Sequence, residues 1–462
     1  MRSTDLVVLG AGPAGLAAAW RAARTGLSTV VLERAVAVGG MAASFEVAGV
    51  RVDHGSHRLH PATAPHVLAD LRALLGDDLQ LRPRNGRLRL AGRWVSFPLR
   101  GGELVRALPP AMAARIALDA ATGPLRRGVP TSYADALRRG LGSTVYGALY
   151  EPFAQKLWGL PGDAIDVEQA RRRVTADTPW KVAARILRRD RSGQGHVFHY
   201  PRRGFGQLVE AVAQAAVDAG ADIRLGAAVT HVAADADGVT VRAADGTEVR
   251  AAQVFTTLPL PVLARVSTPA PDPAAVQAAS ALRFRSMLLV YLVHRGRPWT
   301  PFDAHYLPAG DTPVSRISEP TNYRDSADDP DGRTVLCAEL PCTEGDAWWT
   351  ASDAELADIV IRSLAANDLP PVRREGVEVR RLRHVYPVYA TGYATHLQRL
   401  DAWAGALPRV TTFGRLGLFA HDNTHHAIAM AYDAVDALQN GAVDPSAWTA
   451  ARARFADHVV ED

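Results

Sequence analysis

The sequence predicts an α/β fold: a discontinuous first domain opening on a βαβ unit, and a mixed α/β second domain containing a helical insertion. Three observations predict it. A short apolar run, Asp5–Leu9, leads into glycines at 10, 12 and 15 and then into an apolar stretch with helical spacing. Strand signals return at 197–258, 284–294 and 334–340, and a strand–turn–helix pattern follows at 409–438. Between these, residues 103 to about 190 carry Leu, Ala and Tyr at three- and four-residue spacing, which is a helical pattern.

Taken in order, Asp5–Leu9 reads as a buried parallel strand, Gly10–Gly15 as a tight turn, and Leu16–Arg24 as a helix ended by Gly26. Ser28–Leu32 is the second strand of this βαβ unit. Residues 62–76 read as a helix, and Arg87–Phe97 as a hairpin punctuated by glycine. Ile223–Leu225 and Val229–Val232 are strands. Val239–Ala243 and Thr247–Val249 form a hairpin around Asp245-Gly246, and Val254–Leu258 is a separate short strand. A helix is predicted at 353–366 and another over Thr424–Leu438, and the Pro/Asp-rich stretch 320–332 reads as a surface loop. The first domain is expected from 1–90, 196–268 and 405–462, and the second from 91–195 and 269–404.

With 462 residues the chain can bury a large core, and 48% apolar residues is ordinary for a soluble protein. The balance of 52 basic against 48 acidic residues leaves +4, too mild to imply nucleic acid. Only Lys156 and Lys181 are lysines; every other strong base is arginine. Cys337 and Cys342 make neither a disulfide framework nor a zinc site, so a reduced, cytoplasmic setting is expected. Leu6–Trp20 is broken by glycines and a proline and lacks a basic leader, unlike a signal peptide. Arg106 and Arg115 interrupt the longest apolar stretch, so no transmembrane segment is expected.

The glycine turn carries the first chemistry. Gly10 permits the bend, Gly12 lets a pyrophosphate approach the backbone, and Gly15 lets helix and strand pack closely; Pro13 and Ala14 open the helix. The helix start would face phosphate with free N–H groups. Glu33, at the end of the second strand, is placed to accept hydrogen bonds from a ribose. Glu33-Arg34, followed by Gly39-Gly40-Met41, resembles the FAD fingerprint of glutathione-reductase-like and amine-oxidase-like flavoproteins, with Met41 in place of the usual arginine.

Further segments extend the likeness from residue 5 to about 438. Asp53-His-Gly55-Ser56-His57-Arg-Leu-His60 and Trp94–Pro98 resemble UDP-galactopyranose mutases. Tyr200–Gly206 resembles the corresponding turn of protoporphyrinogen oxidases and phytoene desaturases, and Gly414–Asn423 resembles the segment that closes the flavin site in mutase-like proteins. The resemblance implies FAD, held non-covalently, with Gly55, Ser56, Val229, Gly414 and Asn423 joining the glycine turns as cofactor contacts. It implies His57, His60 and Arg415 as catalytic residues and a small-molecule substrate, with anionic or sugar-containing molecules among the candidates. The expected activity is FAD-dependent removal of a hydride from a carbon or alcohol centre of an organic small molecule, with sugar-containing and natural-product intermediates among the candidates; the alternative is a redox-neutral sugar mutase.

Each of these residues has a structural alternative. His57 and His60 could be hydrogen-bonded scaffold, and Arg415 could cap a helix or bind pyrophosphate. Arg171-Arg172-Arg173 is either a solvated face or an anion clamp. His421, Asp422, His425 and His426 match no standard ligand spacing, so no metal is expected. No second glycine fingerprint follows a strand, so an inserted NAD(P)H domain is not expected. No lysine falls in a predicted strand, which argues against a typical amine oxidase. The loop Gly55–His60 and the segment Arg415–His426 are expected to meet, with Asn423 capping the helix that follows.

Overall fold

The computed structural model describes residues 3–98, 103, 108–123, 126, 128–173 and 196–460. Its first sheet has a parallel centre: strand Ser3–Leu9 lies between Thr29–Leu32 and Glu248–Thr256. Asp222–Arg224 extends it on one side, and Val410–Thr412 pairs with the end of Glu248–Thr256. Antiparallel strands Val229–Asp235 and Gly238–Ala243 follow, and the short strand Ser267–Thr268 closes the edge. The apolar run that marks the first strand is unbroken because both faces are covered. Leu6 and Val8 enter one core while Val7 and Leu9 enter another.

Helix Pro13–Arg24 begins three residues before the expected Leu16. Gly12 is its N-cap and Pro13 its first residue, where a missing N–H costs nothing. Helices Gly206–Asp218 and Thr424–Asp436 pack beside it. Thr247–Val249 and Val254–Leu258 prove to belong to one strand, Glu248–Thr256.

The second sheet runs in the order Arg374–Pro387, Phe284–Arg295, Arg333–Cys342, Arg316–Ser318, Ala304–Tyr306, Gly86–Leu90 and Arg93–Phe97. The Arg87–Phe97 hairpin is therefore present as part of a larger sheet. The helical region contains Pro110–Thr122, Tyr133–Leu141, a run from Ser143 to Trp158, and Val167–Arg173. The remainder of its predicted span, 174–190, lies outside the described residues, as does Lys181.

Two expectations are corrected. Residues 320–332 are not a surface loop: Pro320, Thr321, Tyr323, Arg324, Ser326 and Asp329 are buried. The Arg324–Asp329 ion pair and the bond from Arg324 to the Arg51 carbonyl at 2.8 Å offset the burial of the charges that made the segment look solvated. Strand Arg374–Pro387 escaped detection because its alternation breaks. Val377 and Val379 join one core and Leu382 and Val385 another, across a register shift opposite Arg285 and Met287.

Candidate active site

The two glycine turns face one another at the carboxyl end of the parallel strands. Gly10 has φ +102°, and a Cβ there would lie 2.5 Å from Thr257 Oγ1. A Cβ on Gly15 would stand 1.9 Å from the Gly10 carbonyl oxygen, so helix and strand touch through bare backbone. Gly12 differs: a Cβ there meets nothing within 4 Å. The Gly39 N–H donates to the Ala11 carbonyl at 2.7 Å, and a Cβ on Gly40 would come 3.4 Å from Gly12 Cα. Met41 is half-buried in the short turn Gly40–Ala42.

Glu33 is buried at the end of its strand. It accepts from the Ala11 N–H at 2.7 Å and the Ala35 N–H at 2.8 Å, so the carboxylate already braces the glycine turn. Arg34 beside it is exposed. The Ala227 N–H donates to the Glu33 carbonyl at 2.8 Å, bringing Val229, two residues on, toward the same strand end. Gly414, φ +78°, closes the other side: its Cβ would lie 3.1 Å from Ala14 Cβ. The open space beside Gly12, the uncapped start of helix Pro13–Arg24 and the buried acid fit a dinucleotide.

Asp53 anchors the next loop. Its buried carboxylate accepts from Tyr200 Oη, from Ser44 Oγ at 2.6 Å and from the Phe205 N–H at 2.9 Å. Its carbonyl accepts from Tyr291 Oη at 2.6 Å, which ties the loop to the second sheet. Asp53→Ala strands Tyr200 and the Phe205 N–H, so stability should fall by about 2–4 kcal/mol. Urea unfolding checks this, and an unchanged midpoint would refute the anchoring role.

Beyond Asp53, Gly55 has φ +95° and leaves room for the Glu339 carboxylate, 3.4 Å from where its Cβ would be. Glu339 accepts from the Ser56 N–H at 2.9 Å and from Arg316 through two nitrogens at 3.0 and 2.8 Å. The Ser56 hydroxyl bonds Tyr323 Oη. Arg58 pairs with Asp303 at 3.2 Å, bonds Tyr306 Oη at 3.0 Å and lies over the Phe198 and Tyr323 rings. His57 stacks on Phe205 with ring centroids 5.2 Å apart, and its Nδ1 is buried without a partner. Burial lowers its pKa to about 4; Glu339 opposes that shift, and Arg316 and Arg415 add to it.

The loop and the C-terminal segment do meet. The His60 and His425 rings lie 6.5 Å apart, and the charge of Arg415 is felt at His57. Arg415 and Arg173 both lie against the Tyr386 ring, at 5.0 and 5.1 Å from its centroid. Among the described residues neither guanidinium has an ion pair. His60 Nδ1 accepts from the Ala62 N–H at 3.0 Å, a bond that shapes its own turn. Asn423 is the N-cap of helix Thr424–Asp436, and its backbone N–H donates to His426 Nδ1 at 3.3 Å. His421 Nε2 lies 2.8 Å from the Pro387 carbonyl.

Lys156 is committed elsewhere. Its ammonium donates to the Leu307, Ala309 and Val314 carbonyls at 2.6, 2.5 and 3.0 Å, while burial lowers its pKa to about 8. Sequence reading did not single out Arg58, Tyr306, Tyr323 and Glu339. The one available signal was the density of charge and Tyr at 303–324, which reads as solvated until its partners are known.

Glycine turns and a buried acid at the ends of parallel strands define a dinucleotide-binding protein. The family profile of flavin-containing amine oxidoreductases matches residues 13–434. The chain belongs to that family, and its cofactor is FAD. Among solved structures it is similar to reduced UDP-galactopyranose mutase, with 20% identity and a TM-score of 0.83 over 99% of this chain and 100% of the other. It is also similar to a protein assigned as a protoporphyrinogen oxidase from Exiguobacterium sp. 255-15, with 19% identity and a TM-score of 0.72 over 98% and 99%. Putrescine oxidase bound to putrescine follows at 19% identity and 0.64 over 94% and 98%. At these identities the likeness is one of fold. No curated protein matches the sequence. Among the described residues no helix is long and apolar enough to cross a membrane.

Proposed function

We propose that this flavoenzyme removes a hydride from a carbon or alcohol centre of an anionic small molecule. FAD, when bound, supplies the two-electron acceptor. The first sheet and its helices form the cofactor domain. Gly10, Gly12, Pro13, Ala14 and Gly15 hold the pyrophosphate with Gly39, Gly40 and Met41, Glu33 and Arg34 serve the ribose end, and Val229 lines the adenine. Gly55, Ser56, Gly414 and Asn423 close the site around the ring.

The observation that carries the substrate reading is the pair Arg173 and Arg415 on Tyr386, without an ion-paired carboxylate among the described residues, beside an uncharged His57. Two guanidiniums without a directly paired carboxylate among the described residues attract an anion and repel an alkylammonium. His57, neutral, offers a lone pair to a substrate proton; His60, held in its turn, lines the same wall. Lys156, engaged with three carbonyls, is not free for the role a lysine plays in amine oxidation.

The test is anaerobic titration of the oxidised holoenzyme with nucleotide sugars, glycosylated intermediates, porphyrinogens and polyamines. An anionic compound should bleach the flavin stoichiometrically, and Arg173→Ala should raise its KM about tenfold. Bleaching by a polyamine alone would overturn the proposal. A second reading, a redox-neutral sugar mutase, draws support from the TM-score of 0.83 to UDP-galactopyranose mutase over both full chains. It requires turnover only after prior reduction of the flavin, with no net change in its redox state.

A further inference from the structure

The C-terminal tail returns to the start of helix Thr424–Asp436. The Val460 N–H donates to the Arg172 carbonyl at 2.8 Å, and this places His458 against His426 with ring centroids 4.2 Å apart. Asp422 lies beneath both rings, with its side chain fully shielded from solvent. Its Oδ1 is 2.9 Å from His458 Nδ1 and 3.4 Å from His426 Nδ1, and its Oδ2 is buried with no partner. One ligand atom from each of the three residues lies within 4.8 Å of the others.

The proton arrangement makes this cluster unusual. The Asn423 N–H points at His426 Nδ1, so that nitrogen carries a lone pair rather than a hydrogen. That one lone pair, held at 3.3 Å by the Asn423 N–H, also lies 3.4 Å from a carboxylate oxygen, an acceptor beside an acceptor. A cation resolves the conflict. Ligands of a tetrahedral zinc ion at about 2.0–2.1 Å stand roughly 3.3 Å apart, close to the observed nitrogen–oxygen separations.

We propose that Asp422, His426 and His458 bind one borderline divalent transition-metal ion of the zinc class, with water completing its coordination. The nitrogen and carboxylate ligands suit zinc, cobalt or nickel better than magnesium or calcium, which prefer all-oxygen sets. Binding takes the His426 Nδ1 lone pair away from the Asn423 N–H and draws the two imidazole nitrogens toward a shared centre, which requires the stacked rings to turn slightly in their planes. The ion fastens the tail at 456–460 to the segment that carries Arg415. Sequence spacing could not show this, because the third ligand comes 32 residues after His426.

The experiment uses untagged FAD-loaded protein, incubated with equimolar Zn2+, desalted and assayed for bound metal. About one zinc per chain should be retained. His458→Ala and Asp422→Asn should each weaken binding at least tenfold, with FAD content unchanged in His458→Ala. Zinc should also slow proteolysis of the tail in the wild type but not in His458→Ala. No retained zinc, or equal retention by His458→Ala, would overturn the proposal and leave a proton as the shared cation.

Discussion

Gly12→Val should yield a folded, colourless protein. The structure separates this substitution from its neighbour in the same motif. A side chain at Gly12 meets no protein atom within 4 Å, and the residue's φ of −78° suits any amino acid. Nothing in the fold itself therefore requires glycine there; the requirement is for the space, which the pyrophosphate would fill. At Gly15 the same Cβ would stand 1.9 Å from the Gly10 carbonyl oxygen, so Gly15→Val should disrupt the packing of helix on strand and give insoluble or unfolded protein. Circular dichroism and flavin absorbance together check the pair. Wild-type protein should release all its FAD into the supernatant on acid precipitation, as expected of non-covalent binding. A yellow Gly12→Val variant would refute the placement of the pyrophosphate.

His57→Ala should lower turnover about a hundredfold while FAD content stays near wild type. The ring is poised for this by what surrounds it. Burial holds its pKa near 4, so the imidazole is uncharged at any pH above about 5, and its buried Nδ1 has no protein partner to satisfy. The sign of the pH dependence follows. The basic form is the active one, so activity governed by His57 should fall only as pH drops through about 4. No inflection should appear near 6.5, where an ordinary histidine titrates. His60→Ala should cost less, because its Nδ1 already accepts from the Ala62 N–H. Full activity in His57→Ala, or a clear inflection near 6.5, would make the residue scaffold.

The cofactor half of the molecule was legible in the sequence because its signals are local. Glycines at fixed spacing, an apolar strand and an acid at the next strand end lie within about 30 residues and depend on backbone geometry alone. The meeting of Gly55–His60 with Arg415–His426 was also legible, because both segments resemble the parts of mutase-like flavoproteins that lie at the flavin. The polar wall was not. Arg58 needs Asp303 and Tyr306, Ser56 needs Glu339 and Tyr323, and Arg173 shares Tyr386 with Arg415; no pattern of spacing links partners more than two hundred residues apart. The segment 320–332 failed for a different reason: its Arg324–Asp329 pair is local, but charge reads as exposure until burial is seen.

The central strand Glu248–Thr256 lies between Ser3–Leu9, near the beginning of the sequence, and Val410–Thr412, near its end. Helix Thr424–Asp436 then covers helix Pro13–Arg24, with Arg21 paired to Asp436 at 2.7 Å. This interleaving imposes an order on synthesis. As the chain leaves the ribosome, the opening βαβ unit has no neighbour on one side until residue 256 emerges, and its first helix keeps an uncovered apolar face until about residue 436. The nascent protein thus carries an unfinished nucleotide cradle for most of its translation. A chain cut short before Val410 has lost the strand and helix that close over its own beginning.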